Sequence, residues 1–563
     1  MTSAAQPDPG KPAGSISTDR LATALPALGL VALCVVLYGW RLGLTPLEDF
    51  DEAYYAVGAR EMLQRGDLGT PFFNGQPFLL KPILIYWLIA AAFQVLGQSE
   101  FAARLPSAFL GTVVVALTWW FGCRTVGARA GLLSGMALAL CPMWVDIARD
   151  ASIDVPLTAA LTGALFLVSR ATRAPHRARG HLHLAVYPLL GLALLAKGPV
   201  PVMVVACGVL AYLTNARLLA AGLQQARLLP GLALMLAVAG PWYGYELVRH
   251  PEFWRIFFVG EHLGHLQGEL ARTEPVWGNL KYVLLFFFPW SLLLPAALVH
   301  AFRQPDRREP LRLMAWCSLA VVALFSLPQS KLSHYLAPAF PPMALLVGAW
   351  LDQWIARRPV SRVWAALGFG SLALVGLVCG AGAVMGAIMP PALEARLQAQ
   401  FGGWRPGWSP VVMLAVLSAG SLGAVAAARW RRALVPALLA GAMLVAGLAH
   451  VGWFLPRRAA IQAQPRKDLA LLLAAELPRT EPVGVYYAKR NASIFYLRRP
   501  IVDLGEREHE FDGLVRFLSS PTPRTVITHA NLLPRLAAAV PGAQVRARRD
   551  AFVAVSNQAS LAR

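Results

Sequence analysis

Long apolar stretches alternate with short polar connections along most of the chain. Fourteen such stretches stand out, at 21–40, 82–97, 104–122, 129–146, 155–170, 182–196, 198–214, 228–247, 278–300, 311–327, 335–354, 362–388, 409–428 and 433–455. Several are shorter than the ~20 residues that a spanning helix needs. The connections divide by sign. Arginines cluster at 123–129, 170–180, 215–227, 303–312, 357–362 and 429–432, whereas carboxylates collect at 41–80, 146–154 and 248–277. If all fourteen stretches crossed, the Arg loops from 170 onward would lie outside, against the positive-inside rule. Removing 82–97, a stretch of only 16 residues that begins at the Lys81-Pro82 step, puts every Arg loop inside. The pattern therefore predicts thirteen spans, the N-terminus inside and the C-terminus outside. Stretch 82–97 becomes a helix in the outer interface, with Pro82 suited to its first turn.

This divides the chain into three parts. Residues 1–20, polar and rich in Pro, Gly and Ser, form a disordered cytoplasmic tail. Residues 21–455 form a membrane domain with large outer loops at 41–103 and 248–277. No small-residue cleavage site follows 21–40, which therefore reads as an anchor. Residues 51–65 read as an amphipathic helix. Residues 456–563 form an outer soluble domain. Helix-like runs at 467–477 and 506–518 alternate there with an apolar run at 483–487 and strand-like runs at 525–528 and 552–555, which predicts a small α/β layer.

Composition agrees. Of 563 residues, 57% are AVILMFWYC and 14% are charged, against roughly 25% charged in soluble domains. That excludes a disordered chain or an ordinary soluble enzyme. The net charge of +21 makes the wet surfaces basic and suits membrane lipids or an anionic substrate. The basic residues sit in short loops between apolar segments, which argues against nucleic acid. The terminal domain carries 17 Lys/Arg against 9 Asp/Glu. The six cysteines lie in or beside apolar segments without a CxxC or Cys/His cluster, so neither a disulfide framework nor a zinc–thiolate site is indicated.

Candidate chemistry gathers on the outer side. Glu48, Asp49, Asp51 and Glu52 fall within five residues directly after a membrane helix, a costly placement unless they face water or a cation. Asp51 opens the amphipathic helix, so it is either an N-cap or a carboxylate acting as general base or cation ligand. Asp150 and Asp154 have the i,i+4 spacing of one helical face; Asp154 equally suits a cap, and Asp150 a partner for Arg149. Lys81, Lys197, Lys331, Arg255 and Arg272 are outer cations that either snorkel or converge on a phosphate. Glu261, His262 and His265 can ligate a divalent metal or simply pack at the interface.

The ordered set Asp51-Glu-Ala-Tyr-Tyr-Ala…Arg-Glu-Met-Leu63, Lys81-Pro82, Ser99-Glu-Phe-Ala-Ala-Arg-Leu-Pro-Ser107, Arg149-Asp150…Asp154, Lys197-Gly198-Pro199, Pro289-Trp290…Leu294-Pro295 and Ser330-Lys331…Tyr335-Leu-Ala-Pro338 resembles the bacterial aminoarabinose transferase (ArnT) group. These are membrane glycosyltransferases of the GT-C fold, related to protein O-mannosyltransferases. The resemblance covers nearly the whole chain. It departs at Leu80, where the family commonly carries an acidic residue, which leaves the exact substrate and a metal ligand open. It implies an inverting enzyme, acting as a monomer in the bacterial inner membrane, with a periplasmic active site. The donor would be an undecaprenyl-phosphate-linked sugar, 4-amino-4-deoxy-L-arabinose, and the acceptor a lipid A phosphate, giving polymyxin resistance. Asp51 matches the family's key acidic residue, with Asp154 a second catalytic candidate. Lys81, Arg149, Asp150, Lys197, Arg255, Arg272, Lys331 and Tyr335 are the substrate-binding candidates. Two alternatives are transfer of another polyprenyl-phosphate sugar to protein or lipid, and transport of a lipid substrate. A transporter would place its charges near the bilayer midplane, often with inverted repeats; here they gather at one face and no repeat appears.

Overall fold

The structure, a computed structural model, describes residues 15–49, 51–261, 274–305, 310–388, 409–488, 491–505 and 507–557. All fourteen apolar stretches are helical. Among the described residues, six helices are long and apolar enough to cross a membrane: Glu100–Thr125, Arg179–Lys197, Leu228–Arg249, Arg362–Ala387, Pro410–Trp430 and Leu434–Gln462. Ala128–Ala139 and Pro142–Arg149 together pass the same test but bend by 61° between them. Pro142 opens the second of this pair, where its missing N–H costs nothing and its ring prevents a straight continuation. Other helices are shorter than a full span, including Leu25–Gly39, Leu84–Leu96, Pro199–Asn215 and Pro310–Phe325. Stretch 278–300 is broken into Gly278–Phe286, Trp290–Leu292 and Leu294–Arg303. The chain is a multi-pass membrane protein. Its first helix, Ser15–Cys34, starts inside the segment expected to be disordered.

Small residues bring the membrane helices together, as expected where lipid supplies no hydrophobic drive between them. A Cβ added at Gly131 would collide with Cys123 and the Trp119 carbonyl, and one at Gly348 with Ser134. The main core includes Trp144, Trp290 and Trp350, each at most 2% exposed.

The segment 41–103, expected as the first outer loop, holds defined elements among the described residues. Asp51–Arg65 forms the expected helix. A short antiparallel hairpin follows, of β1 (Phe72–Phe73) and β2 (Gln76–Pro77), and then the helix Leu84–Leu96. Pro82 lies two residues before that helix, not in its first turn.

The terminal region carries a five-stranded mixed sheet: β3 (Val483–Val485), β4 (Val502–Asp503), β5 (Thr525–His529), β6 (Gln544–Arg549) and β7 (Phe552–Ser556). Their order is β4-β3-β5-β7-β6, with β3 parallel to β4 and β5, and β7 antiparallel to β5 and β6. The helices Gln464–Glu476 and Phe511–Leu518 and strands β3, β5 and β7 were legible from pattern. β6 (Gln-Val-Arg-Ala-Arg-Arg) was hidden by its polar, largely exposed faces.

This region clamps onto the first outer loop. Asp49 pairs with Arg466 at 2.7 Å and accepts from the Ala492 N–H at 2.7 Å. Glu100 pairs with Lys467 at 2.5 Å and accepts from the Tyr496 hydroxyl at 3.0 Å. Asn74 exchanges two hydrogen bonds with the Ile501 backbone, and Arg60 donates to the carbonyls of Ile494 and Phe495.

Candidate active site

Adjacent positions on the Asp51–Arg65 helix have different surroundings. Glu52 points inward, 4% exposed, and meets Arg104 in a two-pronged pair with both contacts at 2.7 Å. It also accepts from the backbone N–H groups of Glu48 and Ala151. Burial pushes its carboxyl up, but the Arg104 charge and these hydrogen bonds outweigh burial and hold it below the ordinary carboxylate range. Arg104 also donates to the carbonyls of Leu42, Thr45 and Pro46. The pair thus ties the end of the first membrane segment, the Asp51–Arg65 helix, the 150–153 turn and the Glu100–Thr125 helix together. Asp51 is exposed on the other side, and among the described residues its carboxylate makes no hydrogen bond or ion pair.

Asp154 is the first residue of the Asp154–Ala171 helix, which has no side-chain cap. Its carboxylate instead meets Lys197 at 2.5 Å and lies 3.9 Å from His334. The capping reading therefore fails. The common helical face of Asp150 and Asp154 fails too. The helix Pro142–Arg149 ends at Asp150 in extended backbone, and the 151–153 turn separates the two acids. Asp150 instead faces Glu52 and Glu48; burial, then those two charges, hold its carboxyl well above the usual range.

Lys197 ends the His176–Lys197 helix. Gly198, at φ +89°, makes the turn into Pro199–Asn215, a backbone conformation that strains other residues. The turn leaves the Lys197 ammonium 4.3 Å above the ring of Tyr335. His334, next in sequence, feels Asp154, Lys197, Asp51 and Lys81 together. Burial is the largest influence on it, and its pKa lies below that of an ordinary histidine, so the ring is neutral at pH 7. The four charges therefore act on one imidazole, with Asp154 in direct reach of it.

Lys81 lies in the turn before Leu84–Leu96 and pairs with Glu261 at 2.5 Å. Tyr55 and Tyr86, at most 1% exposed, have buried hydroxyls without a hydrogen-bond partner among the described residues. Both lie within electrostatic reach of Asp51 and Glu261. Buried hydroxyls normally find partners, so this pair suits a polar ligand.

Of the residues proposed from sequence, the structure brings together Asp51, Lys81, Asp154, Lys197, Glu261 and Tyr335. It sends others elsewhere. Arg149 donates to the carbonyls of Leu37 and Trp40 at 2.8 and 3.0 Å, so it fastens the first membrane segment. Lys331, 4% exposed, donates to the carbonyls of Glu274 and Pro328 beside the Lys281–Glu274 pair. Arg255 is exposed. Arg272, His262 and His265 lie outside the described residues, and with them two members of the metal candidate. Among the described residues, no group of three His, Cys, Asp or Glu is placed to hold a metal. Sequence reasoning passed over His334, Tyr55 and Tyr86. A single histidine or tyrosine carries no spacing signal, although Tyr55 lies within a quoted motif and His334 directly precedes Tyr335.

Residues 80–245 match the family described as Dolichyl-phosphate-mannose-protein mannosyltransferase. The chain is 30% identical over 373 residues to the undecaprenyl phosphate-alpha-4-amino-4-deoxy-L-arabinose arabinosyl transferase of Pectobacterium carotovorum, covering 63% of this chain and 65% of that protein. The protein of the same name from Aeromonas hydrophila is 31% identical over 54% of this chain and 56% of its own length. The chain thus spans less than two thirds of these curated relatives. ArnT from Cupriavidus metallidurans bound to undecaprenyl phosphate superposes over 96% of this chain and 99% of its own, with a TM-score of 0.80 at 25% identity. The Archaeoglobus fulgidus oligosaccharyltransferase shares the fold over 92% of this chain and 70% of its own, with a TM-score of 0.52 at 12% identity.

Proposed function

We propose that the chain, given its similarity to the ArnT group of GT-C membrane glycosyltransferases, moves 4-amino-4-deoxy-L-arabinose from undecaprenyl phosphate to a lipid A phosphate. The site faces the periplasm, in the bacterial inner membrane, and the 456–563 region is a periplasmic domain packed over the first outer loop. One observation carries the reading: the Asp51 carboxylate has no ion-pair partner among the described residues, yet stands in a group with Lys81, Asp154, Lys197, His334 and Tyr335 and with two buried, unpartnered tyrosine hydroxyls.

The chemistry follows from the charges. The bond between the sugar's anomeric carbon and the phosphate oxygen breaks, and undecaprenyl phosphate leaves with the electron pair. The acceptor oxygen bonds to the opposite face, inverting the centre. The leaving group is already good, so the site must hold growing negative charge on the phosphate and align the acceptor. Lys81 is the cation for that charge. Its present partner is Glu261, so the donor phosphate takes the place of a carboxylate at the ammonium. Lys197 is neutralised by Asp154, which fixes its position over Tyr335. A lipid A phosphate is anionic at pH 7 and needs no base; Asp51 then acts on a cation, the ammonium of the amino sugar.

A second reading is transfer of another polyprenyl-phosphate sugar to a hydroxyl of protein or lipid, with Asp51 as the general base. The family match over 80–245 favours it. Purified protein given the aminoarabinose donor and lipid A separates the two. The first reading expects modified lipid A by mass spectrometry and no product with Asp51→Asn. Intact lipid A, with active protein toward a hydroxyl acceptor, would replace it with the second.

A further inference from the structure

The far end of the membrane domain holds a cavity unconnected with the chemistry above. It lies toward the C-terminal end of the Asp154–Ala171 helix. Ala164, its first lining residue on that helix, stands ten residues, at about 1.5 Å each roughly 15 Å, from Asp154 at the other end. The cavity measures about 380 Å³, within the size range of small-molecule pockets. Its walls come from five helices, with Leu165, Leu190, Val205, Leu213 and Leu223 among the lining residues. Its polar residues are few. Arg179 donates to Gln225 at 2.9 Å and to the Ala174 carbonyl at 2.9 Å, and the His183 ring lies 3.2 Å from the Gln225 carbonyl. The Arg227 guanidinium lies against Gly180, where an added Cβ would come within 3.0 Å of it. Among the described residues it makes no hydrogen bond or ion pair.

The charge here is one-sided by sequence. Between Asp154 and Glu246 there is no Asp or Glu at all, while Arg170, Arg173, Arg177, Arg179, Arg217 and Arg227 all fall at this end. Nearby in sequence, the protein offers these guanidinium groups no carboxylate. An apolar cavity beside arginines that have no carboxylate near them in sequence, at the membrane surface where Arg loops gather, matches one kind of molecule: a lipid with an anionic head.

We propose that this cavity binds an anionic membrane phospholipid, one acyl chain among the leucines and valines and the phosphate on Arg227 and Arg179. The site is separate from the sugar-transfer site and does not depend on that reading. Full-length protein purified in detergent is titrated with phosphatidylglycerol or with phosphatidylcholine of the same acyl chains, and bound lipid is counted by native mass spectrometry. The proposal expects preferential retention of phosphatidylglycerol. Arg227→Gln breaks no hydrogen bond and should lower that retention about fivefold, the effect of one surface cation, with phosphatidylcholine unchanged. Ala206→Trp, at an exposed position lining the cavity, should lower retention of both lipids. Equal retention of the two lipids, or phosphatidylglycerol binding unchanged in Arg227→Gln, would overturn it.

Discussion

Asp51 and Glu52 are adjacent acids with different surroundings, and their substitutions should separate cleanly. Asp51→Asn removes only an exposed charge, so unfolding should be unchanged while transfer falls about 10²-fold or more as its electrostatic hold on the sugar's ammonium is lost. Glu52→Ala strands the buried Arg104 guanidinium and should cost about 3–5 kcal/mol of stability. Thermal unfolding and transfer assays on both proteins check this; equal stability loss in the two would refute the division. The acidic run was legible in sequence as a cluster, but its division was not. Which acid meets Arg104 depends on a contact across 52 positions, and no local pattern encodes it. His334 adds a pH signature. Its pKa is lowered, so the unfolded chain takes up a proton near pH 6.5 while the folded protein resists until lower pH. Its contribution to stability is therefore complete above about pH 6.5 and is lost as pH falls from there through the folded value. Melting temperatures across pH 5–8 should drop less steeply on the acid side in His334→Gln. Parallel curves for the two proteins would remove His334 from that role.

At the scale of elements, the turn into Leu84–Leu96 and the end of Trp254–Glu261 meet through Lys81 and Glu261. A donor phosphate competes with Glu261 for the ammonium. Lys81→Ala should therefore weaken retention of undecaprenyl phosphate by the purified protein, and Glu261→Gln should strengthen it. Weaker retention in both would mean that Glu261 helps to hold the ligand. The position of Leu84–Leu96 was legible because Lys-Pro precedes a run too short to cross. The pairing of Lys81 was not, because Glu261 lies 180 positions away. Asp154 shows the same limit. An acid before Val-Pro at a helix start reads as a cap, yet the backbone there leaves the carboxylate to Lys197, which reaches it from another helix.

At the scale of the whole molecule, charge parity across the apolar stretches was the strongest sequence signal, because the positive-inside bias accumulates over many loops. It predicts that Arg173 and Asn491 lie on opposite sides of the membrane. Reporter fusions at those two positions should give opposite signals, and matching signals would mean that the number of spans is wrong. The terminal sheet was only half legible, since β4 is two residues long and β6 is polar. The central claim is that the Asp51 site transfers a sugar to lipid A. Mass spectrometry of lipid A from cells lacking the gene, restored with either the natural protein or Asp51→Asn, tests it most directly. The aminoarabinose-modified species should appear with the natural protein and be missing with Asp51→Asn present at equal abundance. Identical lipid A in all three strains, or full modification with Asp51→Asn, would contradict it.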